Sequence, residues 1–226
     1  PALADLGEPV DGESDLTGTL RGLLFSTAGV LGQDRAVQAR ARELYATATS
    51  DPGAVHPELV AAATAIVAAT GGSDAYDSML DGFRNGRTSQ DQLRHLYAMA
   101  AFDDEELLLR TCEFAMSNEV RTQNAPFLLR HAVGNRRHGA LAWAFVRDHW
   151  DEVNQRFPAS TIVRMISSIP LLTEPALVDE VQSFFAEHPI EQSLTTMHQL
   201  LDRQLINAAY RARNEAALAA AVTDSR

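Results

Sequence analysis

Apolar residues recur along most of the chain at intervals of three and four positions, the spacing that puts them on one face of an α-helix. Three runs show the spacing best: Leu16, Leu20, Leu23, Leu24, Thr27 and Leu31; Trp143, Val146, Trp150, Val153 and Phe157; and Leu194, Met197, Leu201, Leu205 and Ala208. No segment alternates apolar and polar residues over more than a few positions. The pattern therefore predicts an all-α protein.

Residues that end helices separate these runs at short intervals. Gly32, Pro52-Gly53, Gly71-Gly72, Gly134-Asn135 and His188-Pro189 are examples. The spacing predicts about eleven or twelve helices with short connections. Within this scheme, Ser89-x-x-Gln92 resembles a capping box that starts a helix, and a short separate tail helix is expected from about Asn214.

Short helices in series, without one long amphipathic seam, favour stacked helix pairs over a simple bundle. The predicted fold is an irregular HEAT/armadillo-like superhelical solenoid of antiparallel helices. Residues 1–15 are acidic and rich in turn formers, and are interpreted as a lead-in or linker. Residues 16–226 are interpreted as a single α-helical domain.

The net charge and the cysteine content exclude several classes of binding partner and site. The 226 residues include 30 acidic and 19 basic side chains, giving a formal net charge of −11. Because nucleic acids and membrane surfaces are polyanionic, the chain is expected to bind neither. The single cysteine, Cys112, excludes disulfides and multi-cysteine zinc sites and suits a reducing, cytoplasmic location.

The chain contains no recognisable catalytic or metal-binding pattern. No two of the seven histidines lie at i, i+4, and the chain has no nucleophile elbow, phosphate loop or dinucleotide fingerprint. We expect no catalytic residue, metal site or cofactor in this chain. Histidines are expected at the surface or at helix ends, Cys112 as a buried spectator, Gly18-x-x-x-Gly22 as a packing motif, and the acidic run at 103–106 as a helix cap.

One stretch is unusual, because residues 120–147 contain no Asp or Glu. Its basic residues are Arg121, Arg130, His131, Arg136, Arg137, His138 and Arg147. Two interpretations stay open. The arginines could form a positive surface that binds carboxylates or peptide carbonyls, or they could cap helix ends and pair with acids elsewhere, which is favoured for Arg130 and Arg147. Trp143, Phe145 and Trp150 nearby are expected in the core.

Several segments in this region resemble one enzyme family. The segments VRTQN (120–124), GNRRHG (134–139) and LAWAFVRDHWDE (141–152) resemble the C-terminal domain of aminopeptidase N-like zinc aminopeptidases, which include the puromycin-sensitive and endoplasmic-reticulum enzymes. The segment FFAEHP (184–189) and the helix that follows resemble later helices of that domain. The resemblance extends from about residue 93 to about residue 217.

The resemblance implies a non-catalytic domain that caps the active site of a zinc aminopeptidase of the membrane alanyl type and forms its peptide-access cavity. Zinc would then lie in a catalytic domain outside this chain, and the partners would be the peptide substrate and that catalytic domain. The resemblance also implies that Arg121 and Gln123 contact the peptide, with Arg136, Arg137 and His138 as further candidates. The alternatives are a free-standing helical-repeat adaptor that binds a protein or peptide, and a self-contained hydrolase whose acids come from distant helices.

Overall fold

A computed structural model describes residues 2–224, and within that range the backbone forms thirteen α-helices and three 3-10 segments but no strand. The α-helices are α1 (Ala2–Leu6), α2 (Asp15–Val30), α3 (Arg35–Ser50), α4 (Pro57–Thr70), α5 (Ser73–Asn85), α6 (Ser89–Ala98), α7 (Glu105–Ala115), α8 (Ala125–Val133), α9 (Gly139–Asp148), α10 (Trp150–Arg156), α11 (Ala159–Met165), α12 (Pro175–Glu187) and α13 (Leu194–Asp224). The 3-10 segments are Met99–Ala101, Ile166–Leu171 and Glu191–Ser193. The all-α prediction is confirmed for this part of the chain.

The chain divides into two compact units, the first ending at Leu107 and the second beginning at Leu108. In the first unit α4 is central and packs against α2, α3, α5 and α6. Its sequence has no charged residue after Glu58, and most of its side chains from Leu59 to Ala68 are buried. A helix that is apolar on all sides needs neighbours on all sides. The packing within each unit is compatible with stacked helical pairs.

Small residues set the packing of α2 against α4. A Cβ atom at Gly29 would lie 2.7 Å from Cδ1 of Ile66, and one at Gly22 would lie 3.0 Å from the backbone oxygen of Glu58. The two helices therefore approach more closely than side chains at these positions would permit. Gly18 lies against His56 in the same way, so the interpretation of Gly18-x-x-x-Gly22 as a packing motif is confirmed.

The apolar face that periodicity assigns to α2 faces solvent in this structure. Leu16, Leu20, Leu23 and Leu31 are 78%, 43%, 63% and 57% exposed. The buried face instead carries Gly18, Arg21, Gly22, Phe25 and Gly29. The glycines decide the orientation of α2, because they let its backbone approach α4 whereas leucines there would hold it away.

Residues before α2 are attached to it through Arg21, which is 3% exposed. Its guanidinium donates to both carboxylate oxygens of Glu13, at 2.5 and 2.7 Å, and to the backbone oxygens of Leu6 and Gly7. These hydrogen bonds from Arg21 lower the pKa of Glu13. The interpretation of residues 1–15 as a lead-in or linker stays a prediction, but this contact fixes its course from Leu6 to Glu13.

In the second unit, α8 packs against α9, α11 and the 3-10 segment Ile166–Leu171. Four aromatic side chains from α9, α10 and α12 meet with ring centroids 5.2 to 5.6 Å apart: Trp143, Trp150, Phe184 and Phe185. Trp143 and Trp150 are buried, which confirms their prediction as core residues. Phe145 is only partly buried and stacks on His149 at 4.1 Å.

The last helix is continuous, so the prediction of a separate tail helix from Asn214 is wrong. No Gly or Pro interrupts Leu194–Asp224, and the Asn214 side chain donates to the backbone oxygen of Tyr210 inside the helix. At 1.5 Å per residue, α13 is about 46 Å long. Even so, no helix within residues 2–224 combines the length and the apolar character needed to cross a bilayer.

The start of α6 differs by one residue from its prediction. The helix begins at Ser89, and the capping residue is Thr88, whose hydroxyl accepts from the backbone N–H of Asp91 at 3.1 Å. Gln92, the expected reciprocal member of the capping box, instead donates to the backbone oxygen of Gly86. Both Ser and Thr suit the cap, and here Thr88 occupies it.

Candidate functional site

The five candidate binding residues lie in two connections at opposite ends of α8. Arg121 and Gln123 precede the helix, whereas Arg136, Arg137 and His138 follow it. With nine residues, α8 separates the two connections by about 13 Å along its axis. The structure therefore brings together the members of each group, but it does not bring the two groups together.

Arg121 and Gln123 present unengaged side chains. Both are exposed, and within residues 2–224 neither side chain makes a hydrogen bond or ion pair. The backbone oxygen of Arg121 accepts from the N–H groups of Asn124 and Ala125 at 2.8 and 3.0 Å, so it forms the turn that starts α8. The backbone is ordered by these bonds while the side chains remain available to a ligand.

Arg156 at the end of α10 holds the segment that leads to Arg121. Its guanidinium donates to the backbone oxygens of Met116, Ser117 and Val120, the contact to Ser117 measuring 2.5 Å. Sequence reasoning missed this role, because Arg156 is the last residue of α10 and belongs to no motif. Its function is to position the connection that carries Arg121 and Gln123.

The second connection is a compact turn built on Asn135. The Asn135 side-chain oxygen accepts from the backbone N–H groups of Arg137 and His138, both at 3.0 Å. Asn side chains commonly close turns in this way. Arg136 and Arg137 are exposed, and His138 is partly buried. The turn thus displays two adjacent guanidinium groups.

The interpretation of Arg147 as a structural residue is confirmed. It donates to Glu180 at 2.6 Å and to Asp148 at 2.9 Å, and these hydrogen bonds raise its pKa. Glu180 also accepts from the indole N–H of Trp143 at 2.9 Å, so Arg147 belongs to the support of the aromatic cluster. Arg130 lies in the last turn of α8, where a cation interacts favourably with the helix dipole.

The predicted roles of Cys112 and of the acidic run are also confirmed. Cys112 is fully buried, and burial raises the pKa of its thiol to about 12, which leaves it protonated and inert. Asp104 accepts from the backbone N–H of Leu107 at 3.0 Å and caps α7. In the described part of the chain no three His, Cys, Asp or Glu side chains cluster so as to hold a metal ion.

One histidine is buried. His95 lies in the last turn of α6, in line with the expectation of histidines at the surface or at helix ends, and is only 8% exposed. Its ring lies against Gly82 of α5, where a Cβ atom would come within 2.4 Å of the imidazole. The glycine creates the space for the ring, a relationship that spacing along the chain does not reveal.

Comparisons with known proteins agree with the regional resemblance and extend it. A family model described as "ERAP1-like C-terminal domain" matches residues 1–206. The resemblance of residues 93–217 alone was therefore too narrow, because the family match also includes the first unit. Helices α1 to α6 carry few recognisable motifs, which explains why a single sequence did not show it.

Curated proteins similar to the chain are aminopeptidases. Aminopeptidase M1-C of Oryza sativa subsp. japonica is 27% identical over 231 residues, which covers 98% of this chain and 26% of that protein. Aminopeptidase M1 of Arabidopsis thaliana is 28% identical over 209 residues, 89% of this chain and 23% of the relative. Endoplasmic reticulum aminopeptidase 2 of Homo sapiens is 34% identical over 96 residues, 41% of this chain and 10% of that protein. The chain spans about a quarter of the length of the two plant relatives.

Proposed function

The chain belongs to the family of ERAP1-like C-terminal domains, and from that premise we propose that it serves as the non-catalytic C-terminal domain of a zinc aminopeptidase. In this role it caps the active site and forms the cavity through which peptides reach it. The observation that carries the proposal is the family match over residues 1–206 together with relatives that are named aminopeptidases.

Arg121 and Gln123 are the proposed peptide contacts. A guanidinium offers planar paired donors to a carboxylate or to peptide carbonyls, and a side-chain amide can both donate and accept. The exposure of both side chains and their lack of partners within the described range support this assignment. The hydrogen bonds of Arg156 to the preceding backbone limit the entropy that would be lost when a peptide binds.

Arg136, Arg137 and His138 are proposed as a second contact region. An extended peptide advances about 3.3 Å per residue. Spanning the roughly 13 Å length of α8 therefore takes about four residues. A peptide that reaches both connections must be longer than that, and a shorter one can contact only one of them. Contact with both would therefore favour longer substrates.

The remaining parts of the proposal concern the rest of the enzyme. The zinc ion and the groups that act on the first peptide bond would be supplied by a catalytic domain outside these residues, which is the proposed protein partner. We also propose a cytoplasmic location without nucleic-acid or membrane partners, in keeping with the net charge of −11 and one cysteine.

Deleting the domain from the full-length enzyme tests the proposal. We expect the enzyme without it to hydrolyse a short aminoacyl fluorogenic substrate, but to lose its discrimination among peptides of increasing length. The 226-residue chain alone, with zinc added, should show no hydrolysis. A reading frame that begins immediately before Pro1 and encodes no catalytic domain would contradict the proposal and favour the adaptor.

A further inference from the structure

The first unit contains a cavity of about 470 Å³ between α3, α4, α5 and α6. Its volume falls within the range of roughly 300–1,000 Å³ that is typical of small-molecule pockets. Part of the lining is apolar and includes Pro52, Val55, Pro57 and Val60. The rest is largely polar and includes Ser78, Asp81, Arg87, Asp91, Arg94 and His95. Its lining includes none of the five proposed peptide-contact residues.

His95 contributes a fixed imidazole ring to the cavity lining. Its Nδ1 lies 2.9 Å from the backbone oxygen of Asp91, and because a carbonyl can only accept, Nδ1 donates this hydrogen bond. Tyr45 fixes the ring by an edge contact, with centroids 5.9 Å apart. The imidazole therefore presents a polar edge to the cavity in a defined orientation.

Two opposite charges in the cavity wall are also uncommitted. The Asp81 carboxylate accepts from the side-chain amide of Asn85 at 2.7 Å, and among residues 2–224 it pairs with no cation. The Arg87 guanidinium has no hydrogen bond or ion pair within the described residues. By contrast, Asp91 and Arg94 neutralise each other at 3.1 Å. After this internal pairing, one carboxylate and one guanidinium remain available to a ligand.

We propose that this cavity binds a small zwitterion of the α-amino acid class. Arg87 binds the carboxylate of this ligand and Asp81 binds its ammonium group. The ligand's side chain packs against Pro52, Val55 and Val60. Paired donors of an arginine match a carboxylate. The volume accommodates either a free amino acid or a dipeptide, which share this chemistry. An ammonium group also has three donors, and the Asp81 carboxylate offers two acceptor oxygens to them.

The electrostatics of the interior agree with this orientation. Burial and the nearby carboxylates of Asp91 and Asp81 raise the pKa of Tyr45, whose hydroxyl is 3.1 Å from Ser78 Oγ. Because Asp91 is paired with Arg94, the Asp81 carboxylate is the group on this side of the cavity that favours an ammonium group. If the chain serves an aminopeptidase as proposed, such zwitterions are the products of removing N-terminal residues, and the cavity would sense them. That connection rests on the proposed function, whereas the binding itself does not.

Calorimetric titration of the 226-residue chain with four probes tests the proposal. The probes are L-leucine, leucyl-leucine, isoamylamine (leucine without its carboxylate) and isocaproate (leucine without its amino group). A zwitterion site predicts that leucine or leucyl-leucine binds at least about tenfold more tightly than either singly charged analogue, since each lost charged contact costs about that factor. The tighter of the first two identifies the source as a free amino acid or a dipeptide.

Two exposed positions permit conservative variants that leave the core intact. Asp81→Asn should weaken the binding of the zwitterion and of isoamylamine about tenfold and leave the binding of isocaproate unchanged. Arg87→Gln should weaken the binding of the zwitterion and of isocaproate about tenfold and leave the binding of isoamylamine unchanged. Asp74→Asn and Arg42→Gln, which lie outside the cavity on α5 and α3, are the matched controls, and circular dichroism checks that all four fold. Equal affinity for leucine and both analogues, equal losses in the controls, or no saturable binding of any probe would overturn the proposal.

Discussion

The guanidinium of Arg156 donates to the backbone oxygen of Met116, forty positions earlier in the chain. Together with its bonds to Ser117 and Val120, this contact makes α10 a support for the connection that carries Arg121. A backbone segment without regular structure is thus held by one side chain. Its role is stabilising rather than catalytic, because Arg156 contacts only main-chain atoms of this segment.

Replacing Arg156 by Ala should destabilise the protein by about 1–3 kcal/mol, because carbonyls that accept from a charged donor lose their partner. Chemical denaturation monitored by circular dichroism measures the change in the free energy of unfolding. Arg164→Ala, an exposed arginine on the neighbouring α11, is the control and should change it by less than about 0.5 kcal/mol. Equal effects of the two variants would show that the contact to Met116 contributes nothing.

Arg121→Ala in the full-length enzyme should lower kcat/KM for longer peptides by about fivefold to tenfold and leave dipeptide hydrolysis unchanged, since only a longer substrate reaches the side chain. Competition assays with a ladder of peptides give the length profile. Arg130→Ala is the matched control because Arg130 is exposed at the other end of α8. An unchanged profile for Arg121→Ala would remove this residue from the proposed contacts.

Gly82→Ala should destabilise the first unit by about 1–3 kcal/mol, the usual cost of overpacking. The new methyl group would overlap the imidazole of His95, which Tyr45 and Asp91 hold in place. This cost outweighs the gain of about 0.5–1 kcal/mol that Ala brings to a helix interior. Gly53→Ala is the comparison, since its nearest neighbour would be 3.9 Å away. Thermal unfolding of both variants decides whether the close approach matters.

The ion pair of Glu13 and Arg21 should make stability depend on pH. The folded pKa of Glu13 is lowered, so its contribution is fully present above the unfolded value of about 4.3 and is lost as pH falls through the folded value. Glu13→Gln should therefore unfold at a lower temperature than the parent at about pH 6, and the difference should shrink towards about pH 3. Asp11→Asn, an exposed acid nearby, should show no such convergence.

Cys112 should not react with thiol reagents in the folded protein at about pH 8, because only the thiolate is nucleophilic and its pKa is about 12. Stoichiometric labelling should appear only in denaturant. Mass spectrometry after timed exposure to iodoacetamide provides the measurement. Rapid modification without denaturant would mean that α7 opens readily or that the side chain is accessible.

The helical content was predictable from the sequence, whereas the packing of individual faces was not. The periodicity of α2 is clear, yet its leucines are exposed, because the packing face is chosen by Gly18, Gly22 and Gly29, whose contribution is the absence of a side chain. Hydropathy does not register such positions. Conversely, the sequence of α4, which has no charged residue after Glu58, correctly indicates a buried element.

The candidate site was predictable in composition but not in geometry. The acid-free stretch identifies Arg121 and Arg136, but nothing in their spacing shows that α8 holds them at opposite ends. The cavity around His95 draws its lining from four helices and therefore has no local signature. Arg156 donates to backbone atoms up to forty positions away. Because every residue has a backbone carbonyl, the residue types do not show which one accepts such a bond.

The continuous helix α13 passes from a packed to an exposed environment along its length. Met197, Leu201 and Gln204 are buried, whereas Leu218 and Val222 are 63% and 58% exposed. Helix formation in the outer part rests on local propensity, which is marginal for short segments in water. Amide hydrogen exchange along this one element should therefore be slow near Leu201 and fast beyond Leu218, with the outer turns fraying independently of global unfolding.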